Sequence, residues 1–468
     1  MKHNNILLIN PWIYDFAAYD FWIKPVGLLS IGHFLEKHGY QNHLIDCMDR
    51  FHPLNPEVKI RRNATGKFIR TEVAKPKVLE NIPRRYCRYG MPVESFSKAL
   101  NQAPEPLAIL VTSVMTYWYQ GVIFAIQLLK EKFPHVPVLL GGIYATLCYE
   151  HAVKNSGADY VIKGRGEIAA LKLVGSLTGF EYKIIDEDIQ FPDPDYHYYQ
   201  KLISVPIITS VGCPYRCSFC ASHLLSGNFK QRNPLAVIDE IDYYYRKRHV
   251  RHFAFYDDAL LINQEKHLSI ILDSIIDKKL SLNFHTPNGI HAKQITQDLA
   301  VKMFQTNFKT IRLSFETSNE ARQRQMGSKV TNDSLVNAIE YIERAGFRRK
   351  DIGVYVIMGL PDQSSEEVVN SMLFVNSLGA KINLSQFSPI PGTRDWNRSI
   401  EMYNMVPDID PLLTNNSIFT LNRKDFTIEM FQQIRSLAKV LNYGLDQGIN
   451  FFNQSKLARI IADQIKYC

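Results

Sequence analysis

Short apolar, β-branched runs alternate with amphipathic stretches along most of the chain, and both periodicities break at residues 181–200. Runs at 5–10, 42–46, 107–112, 136–140 and 160–162 read as strands; 26–38, 120–133, 145–155 and 167–177 carry apolar residues at helical spacing. Strands separated by helices pair in parallel, because each crossover returns the chain to the same end of the sheet. Residues 1–180 are therefore expected to form an α/β domain, a doubly wound parallel sheet of flavodoxin-like order. Its ligands belong at the carboxyl ends of the strands, where the strand order reverses. Residues 47–104 are expected as an insertion between the second and third strands.

The break is charged and then reads Phe191-Pro-Asp-Pro-Asp-Tyr196, which suits a linker. From Val205 the alternation restarts, with strands at 205–209, 252–256, 282–285, 310–315, 352–358 and 382–387. Asn233-Pro234 opens a helix as N-cap and N1, and Ser364-Ser-Glu-Glu367 reads as a capping box. Six such units over 201–400 are too few for an eight-stranded barrel. The spacing predicts a partial (β/α)6 TIM-type barrel, with its chemistry at the carboxyl ends of the strands. Residues 401–468 hold amphipathic stretches at 426–441 and 455–465 and are expected to form a C-terminal helical cap.

Composition narrows the function classes. With 468 residues, 46% hydrophobic and 21% charged, the chain can bury two or three cores and is not disordered. No apolar run approaches the ~20 residues of a membrane span, and the amino-terminal run is too short for a signal peptide. Four of seven cysteines are scattered, which suits a reducing compartment, so the cytoplasm is the expected location. The net charge of +8 is concentrated at 59–88, where ten bases meet two acids. Such a segment either steers an anion or is a solvated insertion.

The remaining three cysteines, Cys213, Cys217 and Cys220, share Gly212-Cys-Pro-Tyr-Arg-Cys-Ser-Phe-Cys-Ala-Ser222. One loop with this spacing gives three ligands to a 4Fe-4S cube and leaves the fourth iron open, whereas an electron-transfer cluster closes all four. A zinc site completed by His223 is the competing reading, although zinc modules usually bring two ligand pairs from separate turns. An open iron beside Phe219 resembles the signature of the radical S-adenosylmethionine (SAM) enzymes. The resemblance implies that SAM chelates the open iron and that reduction of its sulfonium yields a 5′-deoxyadenosyl radical.

The resemblance also assigns strand ends. Phe255-Tyr-Asp-Asp-Ala-Leu260 supplies Asp257 or Asp258 for the methionine amine, though a tandem Asp also caps helices. Ser314 and Glu316 are implied contacts to ribose and methionine, and Gly359 a backbone contact to adenine. Gln386-Phe-Ser-Pro-Ile-Pro-Gly-Thr393 is at least a rigid loop.

Pro25-Val-Gly-Leu28, Asp46, Thr112-Ser113, Leu140-Gly-Gly-Ile-Tyr-Ala-Thr146 and Lys163-Gly-Arg-Gly-Glu167 together resemble the cobalamin-binding domain fused to radical SAM barrels. Thr112, Ser113, Gly141 and Gly142 are then the expected cobalamin contacts, since a residue without Cβ lets backbone approach a large flat ligand. The D-x-H-x-x-G motif that supplies an axial His is absent, and His151 has the wrong spacing. Thr116-Tyr-Trp-Tyr119 either packs under a corrin or is aromatic core.

The implied activity is cobalamin-dependent methyl transfer to an unactivated carbon of a small-molecule substrate, with radical cyclisation, rearrangement or oxidation, cobalamin being bound or vestigial, as the alternative. A non-catalytic metal-binding regulator is the distant third. A low-potential electron donor such as flavodoxin or ferredoxin is the implied partner; nucleic acid and membrane are not expected.

Overall fold

The computed structural model describes residues 4–180, 189–418 and 426–449. Internal contacts divide them into two units, one of residues 4–180, 189–206, 224–226 and 408–418, the other of 207–223, 227–407 and 426–449.

The first unit holds a five-stranded sheet of β1 (Asn5–Asn10), β2 (Gln41–Asp46), β3 (Ala108–Val111), β4 (Val138–Leu140) and β5 (Tyr160–Val161). Its order is β5-β4-β3-β1-β2 with every pair parallel, the flavodoxin-like order the alternation predicts. Both faces are covered, so the three central strands, β1, β3 and β4, read as unbroken apolar runs. Leu7, Ile9, Ile109 and Val111 meet α2 (Val93–Gln102) and α3 (Tyr119–Lys132) through Phe96, Val122 and Ile126. Ile6, Leu8 and Leu110 face the other way, onto α1 (Val26–Lys37) and, beyond it in the chain, the helix Glu167–Thr178. The helix expected at 145–155 is two short ones, α4 (Ile143–Leu147) and α5 (Tyr149–Asn155), which meet at Cys148; Glu167–Thr178 follows as α6.

The insertion is more ordered than a solvated loop. It contains α2, and it forms a three-stranded antiparallel sheet in which Cys87–Tyr89 lies between Ile13–Asp15 and Arg70–Glu72. Arg88 covers the Trp12 and Phe124 rings and Arg84 covers Phe16, so two of the ten bases are packing elements. Residues 189–200 are likewise docked: Asp193 bonds Lys37 and His33 on α1, and the Tyr199 hydroxyl donates to Asp46 at 2.7 Å. The return segment 408–418 is anchored within this unit by Tyr119 to Asp410 (2.9 Å) and by Asn415 and Ser417 to Asp15 (3.1 and 3.0 Å).

The second sheet runs β6 (Ser204–Ile207), β7 (His252–Phe255), β8 (Asn283–His285), β10 (Phe308–Glu316), β11 (Ile352–Met358) and β12 (Lys381–Gln386), neighbours in that order. A two-residue strand, β9 (Ile290–His291), pairs with β10 off this path. Pairs from β7 to β12 are parallel and the path does not close, so the barrel is partial, as expected from six units. Six of its helices are α7 (Pro234–Lys247), α8 (Leu268–Asp277), α9 (Gln297–Gln305), α10 (Glu320–Gln325), α11 (Asn332–Arg344) and α12 (Ser365–Ser377). Asn233 caps α7 by accepting from Leu235 N, as its sequence signals. Ser364 caps α12, but the reciprocal half of the expected box is missing because the Glu367 carboxylate is held by Arg322 at 2.7 Å. After α13 (Arg394–Tyr403), the helix expected at 426–441 is α14 (Ile428–Asp446). Asn442 on α14 exchanges two 2.8 Å hydrogen bonds with the Ile382 backbone and so covers the last strand's edge. The helix expected at 455–465 lies outside the described residues.

Candidate functional site

In the first unit the strand ends β3 and β4 are locked by Ser113. Its hydroxyl donates to Gly141 O at 2.7 Å and its carbonyl accepts from Ile143 N at 2.8 Å. Gly142 has φ +96, and a Cβ there would stand 2.3 Å from Ser113 O, so only glycine fits. Gly141 meets nothing within 4 Å of where its Cβ would be. It opens on a cavity of about 180 Å³ lined by Leu28, Val111, Thr112, Leu139, Gly142 and Gly166, among others. That volume is below the roughly 300–1,000 Å³ of whole-ligand pockets, and the lining is largely apolar; it fits a flat apolar part of a large cofactor. Thr112, Gly141 and Gly142 thus reach the cavity, while the Ser113 side chain is spent on the strand end.

His151 is elsewhere. Its Nδ1 lies 2.7 Å from the Tyr144 hydroxyl and its ring meets Tyr119 edge-on, with centroids 4.7 Å apart. Tyr117 and Tyr119 are core residues, and the Trp118 indole donates to Asp15 at 2.7 Å. The aromatic stretch is therefore mainly packing.

In the second unit, the pair Ser210–Val211 with Lys230–Gln231 ties the base of the cysteine loop. Gly212 turns the chain into it with φ +73, where a Cβ would meet Asn228 O at 2.9 Å. Cys220 N donates to Cys217 O at 3.2 Å, and Ser222 N donates to the Cys220 sulfur at 3.5 Å. Burial raises the Cys213 thiol and pushes Cys217 up to about 11, while the Lys329 ammonium pulls both down. Asp258 acts on Cys213 and Glu316 on Cys217, so the two carboxylates named from sequence share this neighbourhood. Among the described residues no three His, Cys, Asp or Glu are already gathered as the ligands of one ion. Three thiols on one loop, an N–H aimed at one of them and a cation acting on two suit a cluster with one iron open.

The other candidates divide into anchored and open groups. Asp257 is 4% exposed, and its Oδ1 accepts from Thr209 N (3.0 Å), Thr209 Oγ1 (2.8 Å) and Ser210 Oγ (2.6 Å). Its Oδ2 has no partner, and burial pushes its pKa up to about 6. Asp258 is exposed. The Ser314 hydroxyl donates to Ile290 O at 3.2 Å. Glu316 ends β10 with φ +76 at a break in register, a conformation that costs a non-glycine residue about 1–3 kcal/mol. Burial raises its pKa against the pull of Lys329. Gly359 N is taken by Gln363 Oε1 at 2.9 Å, which closes the Gly-Leu-Pro turn. Phe219 packs on Met326, Ile357, Leu360 and Phe387, which brings the cysteine loop to the end of β11.

Sequence reasoning misses three participants. Lys329 stands in a loop with no motif. Asp395 on α13 is 1% exposed; it accepts from Ser218 Oγ at 2.7 Å, and its N–H donates to Ser218 O at 3.0 Å. The third is His291, in β9. The only advance signal was the rigid Pro-Gly-Thr393 loop, whose threonine caps α13.

Two family models match this chain: the radical SAM superfamily over residues 207–375 and a B12 binding domain over 85–174. The chain thus carries a radical SAM domain and a B12-binding domain. It is 24% identical over 356 residues to an uncharacterized methyltransferase of Pyrococcus horikoshii, covering 69% of this chain and 73% of the relative. It is 23% identical over 357 residues to the anaerobic magnesium-protoporphyrin IX monomethyl ester cyclase of Rubrivivax gelatinosus, covering 64% and 63%. The fold resembles that of the radical SAM methyltransferase TsrM of Kitasatospora setae, with TM-score 0.60, 14% identity and coverage of 86% and 75%. It also resembles the cobalamin-dependent SAM radical enzyme OxsB, with TM-score 0.52, 12% identity and coverage of 86% and 56%. The two domains imply an enzyme that uses three cofactors, namely a 4Fe-4S cluster, SAM and cobalamin. No helix among the described residues is long and apolar enough to cross a membrane.

Proposed function

We propose that the chain is a cobalamin-dependent radical SAM methyltransferase acting on an unactivated carbon of a small molecule. The observation that carries this reading is that each unit has its own strand-end site. One is a glycine-built apolar cavity, and the other is a thiol loop surrounded by titratable groups. Together the cofactors supply a carbon-centred radical and a transferable methyl group. Cys213, Cys217 and Cys220 hold the cluster; Asp257 or Asp258, Ser314, Glu316 and the Gly359 turn hold SAM, and Phe219 shields the loop. Thr112, Gly141 and Gly142 hold part of cobalamin. A low-potential donor of the flavodoxin or ferredoxin type in a reducing compartment, the cytoplasm, completes the system.

Radical cyclisation or oxidation is the second reading, favoured by the similarity to the porphyrin ester cyclase. Anaerobic reconstitution with iron, sulfide and hydroxocobalamin, followed by gel filtration, separates them: retained corrin absorbance supports methyl transfer, and its loss supports the second. The reduced holoprotein is expected to cleave SAM to 5′-deoxyadenosine. Replacing all three loop cysteines with Ala should abolish both cluster and cleavage, and cleavage that survives would refute the assignment.

A further inference from the structure

Four histidines are buried among the described residues: His38, His267, His285 and His291. Three are partnered. His38 Nδ1 lies 2.8 Å from Phe34 O, His267 Nε2 lies 3.0 Å from Arg232 O, and His285 stands between His252 Nδ1 (2.9 Å) and Thr310 Oγ1 (3.2 Å). His291 is 2% exposed, and neither of its ring nitrogens has a hydrogen-bond partner. Leaving both buried and unpaired is unfavourable, and a Phe of similar shape in the same place would avoid it. The position is informative. His291 is the register partner of Ser314 across β9 and β10. Its ring meets Tyr215 edge-on, with centroids 4.9 Å apart, and Tyr215 lies between Cys213 and Cys217. Burial, with the charge of Lys329, pushes its pKa down to about 3. The imidazole is therefore neutral at physiological pH, with one donor and one acceptor to offer.

His291 thus stands against the cysteine loop through Tyr215 and beside the Ser314 strand end through its register partner. We propose that His291 hydrogen-bonds SAM at the strand ends of the second unit, through a hydroxyl or carboxylate of the cofactor. This rests on the cofactor reading given above, and it adds a contact that no strand-end motif marks.

The test compares the reconstituted full chain with His291→Phe, which keeps the edge contact to Tyr215, and with His291→Gln, which keeps a donor and an acceptor. Iron content, the thermal midpoint of the cluster-free protein and the equilibrium affinity for SAM are measured for each. His291→Phe should keep its iron, melt at or above the wild-type midpoint and bind SAM roughly tenfold more weakly; His291→Gln should recover most of that loss. Competition with 5′-methylthioadenosine and with methionine identifies the group, because only the half that carries it loses affinity in His291→Phe. Unchanged SAM affinity in His291→Phe with full iron content overturns the proposal, and so does a lower melting midpoint in both variants, which marks a packing residue. Where Phe is not accommodated, His291→Leu is read against the same criteria. Wild-type protein that holds its cluster and fails to bind SAM overturns the cofactor reading instead.

Discussion

Each unit places an aspartate just at the end of its second strand, and the two are finished differently. Asp46 receives Asn10 Nδ2 (2.6 Å) and Met48 N (2.9 Å) on one oxygen and the Tyr199 hydroxyl (2.7 Å) on the other. Asp257 receives three donors on Oδ1 and none on Oδ2. The contrast extends along both sets of strand ends. In the first unit Ser113 is bonded to Gly141, and the Thr146 hydroxyl donates to Gly142 O and accepts from Gly164 N. In the second, His291 is unpaired, and no cation among the described residues lies within 4.0 Å of the Glu316 carboxylate. Satisfied polar networks fix backbone, whereas unsatisfied ones hold binding energy for a polar ligand. In the proposed function, the first site grips by shape and the second by charge and hydrogen bonding.

The largest expected effect breaks the shape half. Gly142→Val puts a branched side chain at positive φ against Ser113 O, and should cost on the order of 3–5 kcal/mol within the first unit. Urea unfolding and corrin retention check it: corrin binding should be lost while iron content in the second unit is kept. Wild-type corrin retention would show that the close contact between Gly142 and Ser113 is dispensable.

The next effect sharpens the charge half. A buried carboxyl whose folded pKa is about 6, against an ordinary 3.8, adds stability that is fully present below pH 3.8 and is lost as pH rises through 6. The span corresponds to at most about 3 kcal/mol. In cluster-free protein, Asp257→Asn keeps an acceptor for Thr209 and Ser210 and removes the titration. Its stability should be flatter between pH 4 and 7 and, at pH 7, equal to or above that of wild type. An unchanged pH slope would place the titration elsewhere.

How much was legible beforehand follows the same division. Residues 6–9 announce β1 because a four-residue apolar run bounded by Asn5 and Asn10 is too short for a helix, and all four are buried, two toward each face. The cysteine spacing is legible as a single loop, which the pairing of Ser210–Val211 with Lys230–Gln231 and the bond from Cys220 N to Cys217 O close. Helix α2 was readable and was absorbed into the insertion: Phe96, Ala99 and Leu100 stand at helical spacing, masked by the basic residues before them. What was not legible is set by contacts between distant positions. Nothing local in Asp410 or Asn415 marks them as partners of Tyr119 and Asp15, and nothing in Lys329 marks it as a neighbour of the thiols. Of two adjacent glycines, only geometry reveals that Gly142 takes the positive φ while Gly141 opens on the cavity.

The smallest expected effect tests whether the charge half also depends on packing behind the loop. Ser218 lies between Cys217 and Cys220, yet its hydroxyl points away into α13, where it meets the buried Asp395 carboxylate. Arg398 bonds the other oxygen of Asp395 at 2.9 Å, so removing Ser218 leaves one acceptor unpartnered and the ion pair intact. Ser218→Ala should therefore cost only about 1–2 kcal/mol. Because the same contact fixes the loop between Cys217 and Cys220, the loss should appear as faster release of iron to a chelator, roughly several-fold at such an energy. The first unit's corrin retention should not change. Equal release rates in Ser218→Ala and wild type would mean that the cysteine loop is held by its own turns and by Gly212, with α13 only lying alongside.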